Sequence, residues 1–405
     1  MQEENFDIVR IGLFGIGLDA YWPQFDGLLD KLQGYLDQVA ERIDRPGIEL
    51  INLGLIDDPE KAMAAGHAFR RADVDLIFLY VTTYALSSTV LPVVQRAKVP
   101  VVILNLQPER AIDYAAFNAI GDRTAMTGEF LANCAPCPVP EIANVFRRIG
   151  IPFFQVTGAL DPTDACWSEV DDWVAAAAVA NTLFHNRLGL MGHYYNGMLD
   201  IYSDITGLLA AFGGHAEIVE VDELSALRRT VEENAIEERL HDFGELFDIQ
   251  ADCAPHELER AARTSVALDA MIAGHRLGAL AYYAMGSGSA DNEETMSSVI
   301  LGNSLLTARG VPVAGEYEVK NAFAMKIMDS FGVGGSFTEF YAIDYEDDIV
   351  LMGHDGPATS QSPRARHGSG RWRSIMARWA RGCRLRWRSA TGRSPCYRLC
   401  RITKE

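Results

Sequence analysis

The chain has 405 residues, 48% of them hydrophobic and 22% charged, and a formal net charge of −19. At roughly 150 residues per domain, this length implies two or three domains, each able to bury a core. The acidic balance argues against nucleic acid and anionic membranes as partners and in favour of a small-molecule ligand.

The opening "MQEENFDIVRIGLFG" shows no basic segment followed by an apolar one, so no signal peptide is read there. No apolar run reaches the ~18 residues of a membrane helix, and the cytoplasm is the expected compartment. "IVRIGLFGIG" is an apolar run stopped by glycines, "DGLLDKLQGYLDQVAERI" has helical period, and "GIELINLGLI" reads as a strand. "DPEKAMAAGHAFRRA" starts a helix with Asp58 as cap and Pro59 at its first position. "DLIFLYV", a helix through "LPVVQRA", and "VPVVILNL" continue the alternation, which predicts a parallel, doubly wound sheet.

"GIGLDA", Gly15 to Ala20, fits a dinucleotide fingerprint, yet "YWPQF" delays the helix whose amides would face pyrophosphate. The second strand also ends in "LINLG", without the acid that would hold a ribose, so a dinucleotide oxidoreductase ranks third among the readings. Seven cysteines in a leaderless chain are expected to be reduced. Cys134 and Cys137 form a CxxC in "NCAPCPVPEI", where crowding prolines point to an inert junction between two helices rather than a redox or zinc motif.

A second cycle begins near residue 187. "RLGLMGHYY" reads as strand then loop, "MLDIYSDITGLLAAFG" as one helix, and "HAEIVEVDEL" as the next strand. Long helical patterns cover 224–247 and 255–275, and "LGALAYYAM" and "VPVAGE" are further strands. Two such lobes in tandem invite binding at strand C-terminal ends or between lobes.

From about residue 335 the pattern becomes a β hairpin. If Glu346 and Asp347 form a two-residue turn, Tyr345 lies opposite Asp348, and the same register sets Glu339 opposite His354. Directly opposed residues hold their Cβ atoms roughly 5 Å apart, close enough to share one metal ion. Glu-Asp is not a favoured pair for such a turn, so a longer loop would slip this register. Glu316 stands after a strand and before a helix in "VPVAGEYEVKNAFAMKIMDSFG", a junction where α/β lobes present chemistry. A surface glutamate, a strand-end histidine and an acidic helix start are the competing readings of these residues.

Together "AGEYEVKNAFAMKIM", "GGSFTEFYAIDY" and "DIVLMGHDGP" resemble the L-arabinose isomerase and L-fucose isomerase superfamily, and within it arabinose isomerase-like proteins. Order, spacing and flanking residues agree across about 315–357, and the layout of the preceding lobes agrees as well. The resemblance implies a metal-dependent aldose–ketose isomerase with an enediol mechanism. It implies that Glu316 and Glu339 bind a divalent ion and serve as the acid/base pair, and that His354 is a third metal ligand. Mn²⁺ is the expected ion, with Co²⁺ or Mg²⁺ as alternatives, and two carboxylates with imidazole suit such an ion better than a closed zinc site. A second histidine ligand expected farther along has no match here. The implied partners are a small-molecule sugar and further copies of the chain, as a trimer or hexamer. Tyr21, Trp22 and His193, with Tyr194 and Tyr195, are candidate sugar-binding residues, and core or interface packing is their competing role.

The expected architecture is therefore α/β: two tandem doubly wound, Rossmann-like domains at residues 1–182 and 183–332, then the start of a truncated C-terminal β domain at 333–357. A different class, a sugar-binding module of two α/β lobes without catalysis, stands as the alternative. The last 48 residues, 358–405, hold 13 Lys or Arg against one acid and carry +12, which leaves −31 on the rest. Neither strand nor helix period is read in this basic tail, and it is expected to be disordered. A basic arm for nucleic acid or a membrane surface is one reading of it. We favour a shifted reading frame near residue 358, which would leave a strand edge open, remove the second histidine and lower metal binding and turnover.

Overall fold

A computed structural model of the protein describes residues 8–249, 253–285, 288–346 and 348–354, together with strand segments Leu385–Trp387 and Arg398–Arg401. The chain divides into two compact units, Met1–Asn181 and Thr182–Glu405.

The first unit is built on strands β1 (Val9–Ile16), β2 (Ile48–Ile56), β3 (Leu76–Tyr80), β4 (Val101–Gln107) and β5 (Phe153–Ala159). They form one parallel sheet in the order β2-β1-β3-β4-β5. Strand β1 is apolar apart from Arg10 because both of its faces are covered: Phe14 and Ile16 enter one core, Val9, Ile11 and Leu13 the other. Helix Leu28–Ile43 buries Leu28, Leu32, Leu36, Val39 and Ile43, the three-to-four spacing that puts them on one face. Asp58 caps helix Pro59–Ala72, its side chain accepting from the Lys61 amide at 2.8 Å. Strand β5 lies at the sheet edge with Phe154, Gln155 and Thr157 exposed, which is why its sequence lacks a continuous apolar run.

In the second unit, β6 (Arg187–Gly192), β7 (His215–Val219), β9 (Ala279–Tyr283) and β10 (Val313–Ala314) form a parallel sheet in the order β10-β9-β6-β7. Strand β8 (Phe247–Ile249) lies apart from it. Met191, Leu268, Met271, Leu280 and Val313 share one core under this sheet. The α/β class read from the alternation is thus the observed one, with helices flanking both parallel sheets and a short antiparallel sheet following them.

Three local expectations are corrected. The helix read across 198–213 is a short 3₁₀ turn, Leu199–Ile201, and a separate helix, Ile205–Phe212, because Asp204 caps the latter by accepting from the Gly207 amide at 3.0 Å. The pattern over 224–247 is two helices, Val221–Arg229 and Glu233–Leu246, interrupted where the Thr230 hydroxyl bonds the Leu227 carbonyl at 2.9 Å. The tail read as disordered and strandless forms β13 (Leu385–Trp387), paired with β8, and β14 (Arg398–Arg401), paired with β12 (Ile349–Gly353). The edge of β12 expected to stay open is therefore occupied. Strands of three and four residues are too short to show as a period in sequence. The other tail residues lie outside the described ones.

Cys134, Cys137 and Cys166 are free, whereas Cys253 is disulfide-bonded, against the expectation of uniformly reduced thiols. Among the described residues, no helix is long and apolar enough to cross a membrane.

A candidate metal centre at the end of the second sheet

Three neighbouring strands of the second sheet deliver their following loops to one edge. Strand β6 leads to His193, β9 ends at Tyr283, and β10 leads through Gly315 to Glu316. C-terminal strand edges are where open α/β sheets bind ligands. Backbone bonds tie these loops together: His193 donates to the Tyr283 carbonyl at 2.9 Å, Tyr317 to the Tyr282 carbonyl at 3.0 Å, and Tyr195 to the Glu316 carbonyl at 3.3 Å. They hold a conformation the sequence does not advertise. Glu316 and Tyr317 both have left-handed backbones, with φ of 57° and 63°. Each such residue without glycine costs on the order of 1–3 kcal/mol, and such outliers cluster at functional sites.

The other two members come from the hairpin of β11 (Glu339–Asp344) and β12. Ala342, Ile343 and Asp344 face Leu351, Val350 and Ile349, the register expected from the turn. Past Ala342 the register slips by one, so Phe340 is opposite Met352 and Glu339 is opposite Gly353 and not His354. The extra residue is Tyr341, and a bulge of this kind turns the strand and re-aims the side chains beyond it. Despite the slip, His354 Nε2 lies 3.1 Å from Glu339 Oε1 and 3.6 Å from Glu316 Oε1. A side chain at Gly315 would place its Cβ 3.0 Å from the Phe337 ring and 3.8 Å from His354 Cε1. Glycine there is what lets these rings close over the strand end.

Glu316, Glu339 and His354 can each offer one ligand atom, all within 4.8 Å of one another. Glu316 and His354 are largely buried, with side chains 18% and 14% exposed, while Glu339 is open to solvent at 55%. Among the described residues, the ion pairs of both carboxylates are with His354. Two carboxylates and one imidazole at this spacing fit a hard to borderline divalent cation, with room for water or substrate oxygens. Phe337 packs edge-on against the His354 ring at 4.4 Å and limits its rotation. The buried His354 Nδ1 has no hydrogen-bond partner among the described residues. Nearby, burial pushes the Glu318 carboxyl above its ordinary range, a shift that Lys320 opposes and Asp200 and Glu316 reinforce.

The remaining candidates separate. His193 is exposed in the loop bonded to Tyr283, its Nδ1 lying 2.8 Å from the Tyr194 carbonyl. Tyr194 packs on Tyr202 and Tyr317, with centroids 5.0 and 4.7 Å apart. Tyr21 and Trp22 belong to the first unit, where both pack against Leu28, Leu32 and Leu131. There the Trp22 indole donates to Asp57 Oδ2 at 2.7 Å. A side chain at Gly17 would meet the Trp22 ring at 2.8 Å, and after a three-residue 3₁₀ turn, Asp19–Tyr21, the next α-helix begins only at Leu28. The glycine motif therefore makes room for an aromatic ring instead of opening a helix toward pyrophosphate. Burial, reinforced by Cys137, pushes the Cys134 thiol up to about 11 and keeps it protonated near neutrality, which fits the inert junction between two helices.

Tyr283 is the residue of this edge that sequence patterns do not single out. Its ring lies 4.9 Å from Tyr195 and 5.4 Å from His193, and burial, then Tyr195 and Glu316, raise its phenol. Its position as the last residue of "LGALAYY" was the available signal.

No family model matches the chain, and no curated protein matches it. Among solved structures it is similar to a periplasmic binding protein from Burkholderia mallei, at 15% identity over 72% of this chain and 82% of that one. The TM-score of 0.17 is too low for this likeness to carry an argument.

Proposed function

We propose that the second unit carries the site of a metal-dependent aldose–ketose isomerase. The observation that carries this reading is the meeting of Glu316, Glu339 and His354 at the C-terminal edge of a parallel sheet. These three residues would hold Mn²⁺, or Co²⁺ or Mg²⁺ in its place. When bound, the ion supplies positive charge against the negative charge that develops on the sugar's C1 and C2 oxygens.

The chain's own residues do the rest. Isomerisation removes a proton from one carbon of the C1–C2 pair and returns one to the other, so a carboxylate in reach must accept and donate. Glu316 is held rigidly by its strained, doubly bonded loop, and Glu339 sits on the open side, so each can face one part of a bound sugar. His354 contacts both carboxylates and offers a ring nitrogen as the third ligand atom. The resemblance implies one more histidine than is matched here, so metal binding weaker than a four-ligand site, and low turnover, go with this proposal. A homo-oligomer working in the cytoplasm goes with it too.

The test is Mn²⁺-dependent ketose formation, at saturating Mn²⁺, across a panel of aldoses including L-arabinose and L-fucose. The second reading, a sugar-binding module, is favoured by the two separate parallel-sheet units. Calorimetry separates the two: sugar binding that ignores Mn²⁺, without turnover, would sink the isomerase reading.

A further inference from the structure

We propose that Tyr283 is a substrate-contacting residue of this centre, which with Tyr195 forms a wall beside Glu316 against which a polyhydroxy substrate packs. The inference rests on the isomerase reading of the site but concerns a residue that reading does not use. Strand β9 lies between β10 and β6, so its last residue stands between the Glu316 loop and the His193 loop. The adjacent Tyr282 shows the other choice open to a strand: it is 8% exposed and belongs to the core. Tyr283 points the opposite way, part-exposed, with its ring tilted on Tyr195 at 4.9 Å and edge-on to His193 at 5.4 Å. Tyr195 is itself 38% exposed and His193 is exposed, so the cluster is a wall open to solvent and not a closed core.

The chemistry of the wall suits a sugar chain. Ring faces pack on C–H bonds, and the phenol gives a directional hydrogen bond. At present the Tyr283 hydroxyl donates to the Met285 sulfur at 3.0 Å. A thioether is a weak acceptor, so a substrate hydroxyl displaces it at little cost. The backbone bonds from His193 to Tyr283 and from Tyr195 to Glu316 fix the wall and the acid in one frame.

The test uses the full chain loaded with Mn²⁺, with a five-carbon alditol as a non-reacting probe. Calorimetry is run on the parent, Tyr283→Phe and Tyr283→Ala, with the Mn²⁺ affinity of each measured separately. Loss of one hydrogen bond is expected to weaken alditol binding about 3- to 10-fold in the Phe variant. The Ala variant loses the ring as well and weakens it further, while Mn²⁺ affinity stays within about twofold. Should the Ala variant misfold, the Phe variant decides alone. A parent that does not bind the alditol, a Phe variant that binds it as tightly as the parent, or Mn²⁺ affinity falling in step with alditol affinity overturns the proposal. Tyr283-dependent alditol binding without turnover sinks the isomerase reading and leaves the wall standing. Turnover indifferent to Tyr283 does the reverse.

Discussion

The two parallel sheets end in polar groups used in opposite ways. At the first sheet's C-terminal edge, Asp57 is 5% exposed and both its oxygens are taken, one by the Trp22 indole at 2.7 Å and one by Lys61 at 2.6 Å. Thr82 donates to the Ile16 carbonyl and Thr83 to the Leu131 carbonyl. These four donors have acceptors of their own chain, so this part of the edge is sealed, although the buried Gln107 Nε2 at the end of β4 has no partner among the described residues. At the second sheet's edge, two carboxylates converge with a single imidazole between them. Converging like charges, one of them largely buried, are costly unless a cation joins them. The contrast is between carboxylate oxygens each matched to a donor of the chain and two carboxylates that share one imidazole.

The sharpest way to break that contrast is to neutralise the acids. Glu316→Gln and Glu339→Gln are each expected to abolish isomerisation while the far-UV circular dichroism stays that of the parent, since an amide can neither exchange the proton nor match a carboxylate for the ion. Retention of more than about a tenth of turnover, about 1.4 kcal/mol on the barrier, would refute the acid/base assignment. His354→Ala is expected to weaken Mn²⁺ binding by about tenfold or more, the lower bound set by what even outer-sphere changes do at metal sites. Equal Mn²⁺ affinity in mutant and parent would return His354 to a strand-end packing role.

The sealed edge should respond the other way. Asp57→Ala removes the acceptor of Trp22 and Lys61 and is expected to lower stability by about 1–3 kcal/mol in urea denaturation. Its effect on Mn²⁺ affinity should be nil, because the centre is built within the second unit alone. A variant that lost metal affinity but not stability would show that the two edges have been assigned the wrong way round.

How much of this was legible in sequence depends on the length scale of each cause. Strand and helix alternation is written in local apolar spacing, and so the two parallel sheets could be read. Glu339 and His354 could be paired because a hairpin is local, but the bulge at Tyr341 that shifts their register by one is not marked by any residue type. The left-handed pair Glu316–Tyr317 is held by bonds from Tyr195 and to Tyr282, over 30 residues away in each case, so no local pattern announces it. Tyr282 and Tyr283 look alike in sequence, and only the packing of the helices on one face of β9 decides which is core. The tail strands owe their existence to partners in β8 and β12, not to any period of their own.

The smallest expected effect sharpens the comparison from the opposite, N-terminal edge of the second sheet, where charges are paired as they are on the sealed edge of the first. Arg187 opens β6, His215 opens β7, and His275 ends helix Pro255–His275. Glu217 meets Arg187 at 2.9 Å, His215 at 3.1 Å and His275 at 3.5 Å, while His275 Nε2 meets Glu223 at 2.7 Å. The hydrogen bond with Glu223 raises the His275 imidazole above its ordinary 6.5, although its burial opposes this. The stability it contributes is therefore fully present below pH 6.5 and is lost as pH rises through the higher folded value. Glu217 is lowered from 4.5, first by its bond with His215, so its share is present above pH 4.5 and is lost as pH falls through the lower folded value. Both shares are present together between pH 4.5 and 6.5. Urea midpoints of the parent and His275→Gln should differ most in that window and converge as the solution becomes alkaline. Exposed pairs of this kind contribute little, so the gap should be small even at its widest. A gap that is constant with pH, or that grows above neutrality, would mean that His275 acts through packing and not through its charge.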